Sequence, residues 1–155
     1  ILMKRFLCIV LVALISGGCV TNTKKSSNSF MITIFSPVVK INDVGFLHKS
    51  ENFVNLQIYS SGVNTLNLKI SDKICINRAC YAKTEFNDKF FGAAHYDDFF
   101  KEILDKKPIY EGRNLIRSEC GFSQTINDVN YEVCGGNVKF NDRKNRIKFI
   151  MKELI

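Results

Sequence analysis

Period-two alternation of apolar and polar residues, interrupted by turn signals, constrains this chain most. Val54, Leu56 and Ile58 lie on one face of an extended stretch, and Asn55 and Gln57 on the other. After Ser60-Ser61-Gly62 the pattern returns, with Leu66, Leu68 and Ile70 set against Asn67 and Lys69. Two such runs around a short turn predict a hairpin in which each strand keeps one wet face, the mark of an antiparallel sheet. Phe30, Ile32 and Ile34 alternate with Met31, Thr33 and Phe35 until Pro37, predicting a strand that the proline ends. Residues 38–47 read as a second extended segment. Residues 74–86 read as a hairpin turning at Asn77-Arg78. Residues 114–126 and 129–134 pair across Asn127-Asp128, Gly135-Gly136 breaks the chain, and residues 138–140 and 146–151 close a last hairpin. The expected total is roughly eight to ten strands.

One segment departs from this period. Asp97 and Asp98 precede Phe99, Phe100, Ile103 and Leu104, an apolar stripe at helical spacing, and Lys106, Lys107 and Pro108 close it. Acidic residues at the start and basic ones at the end suit a helix dipole. A helix of about ten residues is expected, the only one downstream of the N-terminal segment. Phe86, Phe90, Phe91 and Tyr96 crowd its approach. The fold class is therefore α+β: a strongly curved antiparallel sheet, an open or incomplete barrel, packed around one short helix.

The N-terminus carries an address. Lys4 and Arg5 precede the apolar run 6–15, then Ser16-Gly17-Gly18-Cys19, the layout of an export signal. A cysteine directly after small residues points to a lipoprotein signal, with Cys19 the lipidated residue. The run is too short for a membrane span of about 20 apolar residues. Met3 is expected to be the initiator. Residues 20–29 are polar and aperiodic, a tether. The division is residues 1–18 as signal peptide, 19–29 as lipidated cysteine and tether, and 30–155 as a single β-rich domain. Val20 follows the cysteine in place of the Asp that retains lipoprotein at the inner membrane in enteric bacteria, so the expected location is the periplasmic face of the outer membrane. Export makes a nucleic-acid partner improbable. The formal charge of +7 falls to +5 once Lys4 and Arg5 leave. The basic residues are spread along the strands as a solvated face, with a mild excess over residues 139–152 that an anionic lipid or polysaccharide would also suit.

Cys75, Cys80, Cys120 and Cys134 remain after Cys8 and Cys19 are assigned to the signal and the lipid. An even set in an oxidising compartment reads as two disulfides, with three pairings open. A two-residue turn at Asn77-Arg78 places Cys75 opposite Cys80. The apolar register across Asn127-Asp128 faces Phe122 with Val133 and sets Cys120 against Gly135, so a Cys120–Cys134 bridge needs a bulge at Gly121 or Gly135. Cys75–Cys80 with Cys120–Cys134 is the favoured pairing, and the crossed ones stay open. Zinc spacing is absent, with only His48 and His95 to complete a site. No catalytic or nucleotide-binding motif occurs. His95 beside Asp97 and Asp98 reads as a surface histidine near a helix start. No catalytic residue, metal or cofactor is assigned, and the chain is not expected to be an enzyme.

An exported chain with a polar tether, early hairpins, a short helix, a proline loop and closing hairpins resembles the LolB-like family of outer-membrane lipoprotein receptors. YDDFFKEILDKKPIYEG lies where that family has its helix and proline loop, and VKFNDRKNRIKFIMKEL is similar to its final hairpin. The chain also resembles small lipoproteins of Campylobacter-type bacteria. The resemblance implies a non-catalytic protein that binds a lipid or a lipoprotein acyl chain in the concavity of its sheet. Phe99, Phe100, Ile103, Leu104 and Ile76 are the candidate ligand-binding residues. It also implies a protruding loop with an exposed apolar residue, a place that Ile74 or Ile76 would take. The competing expectation is a structural envelope lipoprotein or adhesin with a filled core, acting through protein contacts. A cavity above about 300 Å³ beneath the helix would favour the first, and an exposed apolar patch over a filled core the second.

Overall fold

The computed structural model describes residues 26–154. The expected signal, Cys19 and most of the expected tether lie outside the described residues. Eleven strands form one antiparallel sheet: β1 (Ser26–Phe35), β2 (Lys40–Lys49), β3 (Val54–Ser60), β4 (Val63–Ile70), β5 (Ile74–Ile76), β6 (Ala79–Tyr81), β7 (Leu115–Ser118), β8 (Gly121–Ile126), β9 (Val129–Cys134), β10 (Asn137–Asp142) and β11 (Ile147–Glu153). The order across the sheet is β6-β5-β4-β3-β2-β1-β11-β10-β9-β8-β7. Each wing is a meander, and pairing of β1 with β11, from Phe30↔Glu153 to Phe35↔Lys148, joins them. The sheet is not closed: β6 and β7 are free edges.

Turn chemistry sets the registers. Ser61 and Gly62 both adopt positive φ in the two-residue turn between β3 and β4. That backbone matches the right-handed strand twist. A one-residue register shift between Ile58 and Tyr59 then faces Leu56 with Leu68 and Ile58 with Leu66, as the alternation requires. Asn127 also adopts positive φ between β8 and β9, where Ile126 faces Val129 and Phe122 faces Val133.

The chain crosses from edge to edge through residues 82–114, which hold α1 (Lys83–Phe91), α2 (Phe99–Leu104) and a 3₁₀ turn (Tyr110–Gly112). Isolated helices this short are unstable in water, so packing must hold them. Phe99, Ile103 and Leu104 of α2 are completely buried in the core, each contributing roughly 1.5–3 kcal/mol through burial. Phe99 meets Phe140 of β10 at 5.7 Å and Phe100 meets Phe149 of β11 at 5.8 Å, both edge-on. Ile58, Leu68 and Ile74 from one wing and Tyr131, Val138 and Phe140 from the other belong to the same core.

Four expectations need correction. The helix over 97–107 is six residues, α2, because positive φ at Lys106 ends it before Pro108. A second helix, α1, takes residues 83–91 and replaces the last part of the expected hairpin over residues 74–86. Residues 114–126 are two strands, β7 and β8, with a turn at Glu119-Cys120. Finally, Ser26 to Ser29 pair with Lys49 to Phe46, so ordered strand begins four residues ahead of the expected domain start at Phe30.

Candidate functional site

The site is an apolar slot between the helices and the sheet. Phe86, Phe90 and Phe91 of α1, with Phe100 of α2, form one wall. Leu66 and Leu68 of β4, Ile76 of β5 and Phe149 of β11 form the other. Ile34, Ser36 and Val39, at the turn from β1 to β2, form its rim. Its volume is about 60 Å³, room for a few water molecules at most. Phe86 stacks on Phe90 at 4.4 Å and on Phe100 at 5.8 Å, so the aromatic wall is continuous from α1 to α2.

Of the five candidate ligand-binding residues, Phe100 and Ile76 line this slot. Phe99, Ile103 and Leu104 sit in the filled core instead, with no exposed surface. The helix bordering the slot is α1. Its signal was present in the sequence: Phe86, Phe90 and Phe91 repeat the i, i+4, i+5 spacing that marks Phe99, Ile103 and Leu104. Ile74 and Ile76 do not form an exposed apolar tip. Ile74 is fully buried and Ile76 faces the slot. Val38 and Val63 are the strongly exposed valines at turns.

Polar contacts fasten the edge-to-edge crossing. The Asn87 side chain donates from Nδ2 to the carbonyls of His95 and Tyr96, at 3.2 and 2.9 Å. Lys83 pairs with Asp98 at 3.0 Å. The Tyr96 hydroxyl donates to Glu102 and accepts the backbone N–H of Tyr110 at 3.0 Å. Burial first, and the hydrogen bond to Glu102 second, push the Tyr96 hydroxyl far above its ordinary pKa.

His95 was expected at the surface. It is 8% exposed, stacked on Phe99 at 3.8 Å, with Nδ1 2.5 Å from the Tyr110 hydroxyl. Its Nε2 is buried without a hydrogen-bond partner among the described residues. Burial lowers its pKa, and the charge of Asp142 opposes that only in part. Asp97 and Asp98, which the sequence places beside it, are exposed. The ring is part of the packing of α2. At the far end of α2, burial pushes the Asp105 carboxyl up, but hydrogen bonds from Lys101 and Lys49, with their charges, hold it below the ordinary value.

Both favoured disulfides are present. Cys75 and Cys80 face each other across the β5–β6 hairpin. Cys120 and Cys134 bridge the β7–β8 turn to the end of β9. No register shift accompanies the second bridge. Gly121 makes it fit: a Cβ there would lie 2.1 Å from the Val133 carbonyl oxygen, so only glycine lets the strands approach this closely. Each bridge staples the hairpin at one free edge of the open sheet.

Compared with known protein families and with curated proteins, the chain matches none.

Proposed function

We propose that the chain is an outer-membrane lipoprotein, anchored at the periplasmic face through lipid on Cys19, that binds an acyl chain without catalysis, as the LolB-like resemblance implies. The observation that supports this reading is the slot, whose lining is apolar apart from Ser36. In this reading the strongly curved, incomplete barrel of the sheet forms the cup, and α1 is the part that moves.

At about 60 Å³ the slot is far below the roughly 300–1,000 Å³ of sites that enclose a drug-sized ligand. An acyl chain therefore enters only if α1 swings away from the sheet. The helix is built for such a step. It lies between Ala82 and Gly92-Ala93-Ala94, and Gly92 holds the left-handed conformation that ends it. Small residues at element ends absorb hinge rotations readily.

A second reading also has an observation behind it. Beneath α2 the core is filled, and Val38, Val63 and Ile116 are exposed. A filled core with Ile116 exposed on the free edge strand β7 suits an envelope protein acting through protein contacts at that edge. Native mass spectrometry of the full-length protein, extracted from membranes in mild detergent, separates the two. Non-covalent acyl-lipid adducts, together with binding of a fluorescent acyl probe, are expected. A ligand-free spectrum with no probe binding overturns the acyl-binding reading and leaves the contact one. The same spectrum reads the lipid on Cys19 as a covalent mass increment.

A further inference from the structure

We infer that the slot selects an acidic amphiphile: an acyl chain whose anionic head rests on a basic rim formed by Lys89, Lys144 and Arg146. This rests on the acyl-binding reading and names its ligand class. Beside the slot opens a cleft of about 270 Å³ that shares Phe90 and Ile147 with it. The two spaces also share one turn, Ser36 and Val39 lining the slot, Pro37 and Val38 the cleft. A molecule with its tail in the slot thus has its head in the cleft.

The cleft is chemically unlike the slot. Lys89 comes from the last turn of α1, and Lys144 and Arg146 from the turn between β10 and β11. No carboxylate lines it. Among the described residues none of the three cations has an acidic partner within ion-pair distance. The Lys89 ammonium rests 4.7 Å above the Tyr81 ring, which steadies it without neutralising it. Asp142, at the start of the turn between β10 and β11, accepts from the backbone and side chain of Asn145, at 3.0 and 2.7 Å, and shapes the turn that presents Lys144 and Arg146. Three unneutralised cations beside an apolar slot complement a carboxylate or phosphate on a hydrocarbon tail. Val38, 63% exposed, adds apolar surface to the lining of the cleft beside the three cations.

The test uses the folded wild-type protein and four amphiphiles of one chain length below their micelle concentrations, with carboxylate, phosphate monoester, neutral glycerol and trimethylammonium heads. Inorganic phosphate alone is the fifth probe. The two anionic amphiphiles should bind on the order of tenfold more tightly than the neutral one. The preference should shrink with added salt and disappear in Lys144→Gln/Arg146→Gln while neutral binding persists. Equal affinity for all heads overturns the rim and leaves the slot reading standing. Phosphate alone binding as tightly as the phosphate amphiphile overturns it too, as a simple anion site. Absence of binding by every amphiphile ends the slot reading and the rim with it. Circular dichroism of the double variant confirms that any loss is not unfolding.

Discussion

Gln124 clasps Ile109 at both ends of one residue: its Oε1 accepts the Ile109 N–H at 2.8 Å, and its Nε2 donates to the Ile109 carbonyl at 2.9 Å. The same Nε2 reaches the Arg113 carbonyl at 2.8 Å. This strand side chain thereby stands in for a neighbouring backbone and holds the loop after Pro108 against β8. Gln124→Leu keeps the bulk and removes every bond. It should cost about 1–3 kcal/mol for each buried backbone group left unpaired, and amide exchange over residues 108–113 should quicken. Stability within about 0.5 kcal/mol of wild type, the range of inert surface changes, would sink this assignment.

The two disulfides should differ in what they protect. Cys120–Cys134 closes the longer loop, with a sequence separation of 14, and its replacement by Cys120→Ser/Cys134→Ser should cost about 3 kcal/mol. Cys75–Cys80 spans only five positions, so its removal costs less in global stability. It precedes α1, however, and its loss should raise amide exchange in β5, β6 and α1 before the rest of the sheet. Denaturant unfolding with exchange mass spectrometry checks both, and an equal, uniformly spread effect of the two would count against the edge-staple argument.

Alternation was legible wherever one strand face meets water. The β3–β4 hairpin, the β8–β9 register and the Cys75–Cys80 pairing follow from side chains whose contacts are local, whereas the Cys120–Cys134 bridge forms without the bulge that the apolar register alone predicts. The helices were less legible. Phe86, Phe90 and Phe91 carry helical spacing, but the β5–β6 hairpin just before them has three-residue strands, and nothing in residues 79–86 marks where extended chain gives way. The split between β7 and β8 hid for a similar reason. Ile116 is exposed on an edge strand, so no apolar face marks β7. The slot was legible only as a phenylalanine-rich region. Which of two similar stripes fills the core depends on the edge-to-edge crossing, a long-range property. Gln124 was visible as a polar residue on the apolar face between Phe122 and Ile126, without a hint of its partner.

Acid should weaken the packing of α2 in a defined window. His95 is buried with its pKa lowered, first by desolvation. Above the ordinary value of about 6.5 the folded and unfolded chains both hold it neutral, and its contribution to stability is complete. As pH falls below that value the unfolded chain takes up a proton that the folded chain resists, so stability drops until the lowered folded pKa is passed. Asp105, also lowered, contributes a separate loss only below the ordinary aspartate range near 3.8. Unfolding midpoints between pH 7.5 and 5 should therefore fall for the wild type and flatten for His95→Gln. Parallel slopes in both proteins would place the titration elsewhere.

The two helices make the sharpest comparison. Leu104 is fully buried in α2 and does not line the slot. Leu104→Ala should cost about 2–5 kcal/mol through lost burial and the cavity left behind, and affinity for an acyl probe should not change once the protein is folded. Phe90 is only half-buried in α1 and forms part of the slot wall. Phe90→Ala removes less packed surface and enlarges a space already present, so its stability cost should be smaller. The same truncation should alter probe affinity or the preferred chain length, because the slot loses one of its five aromatic wall residues. Thermal unfolding with and without the probe gives both quantities in one experiment. If Phe90→Ala leaves the probe response unchanged while Leu104→Ala abolishes it, the ligand lies beneath α2 after all, and α1 is not the gate.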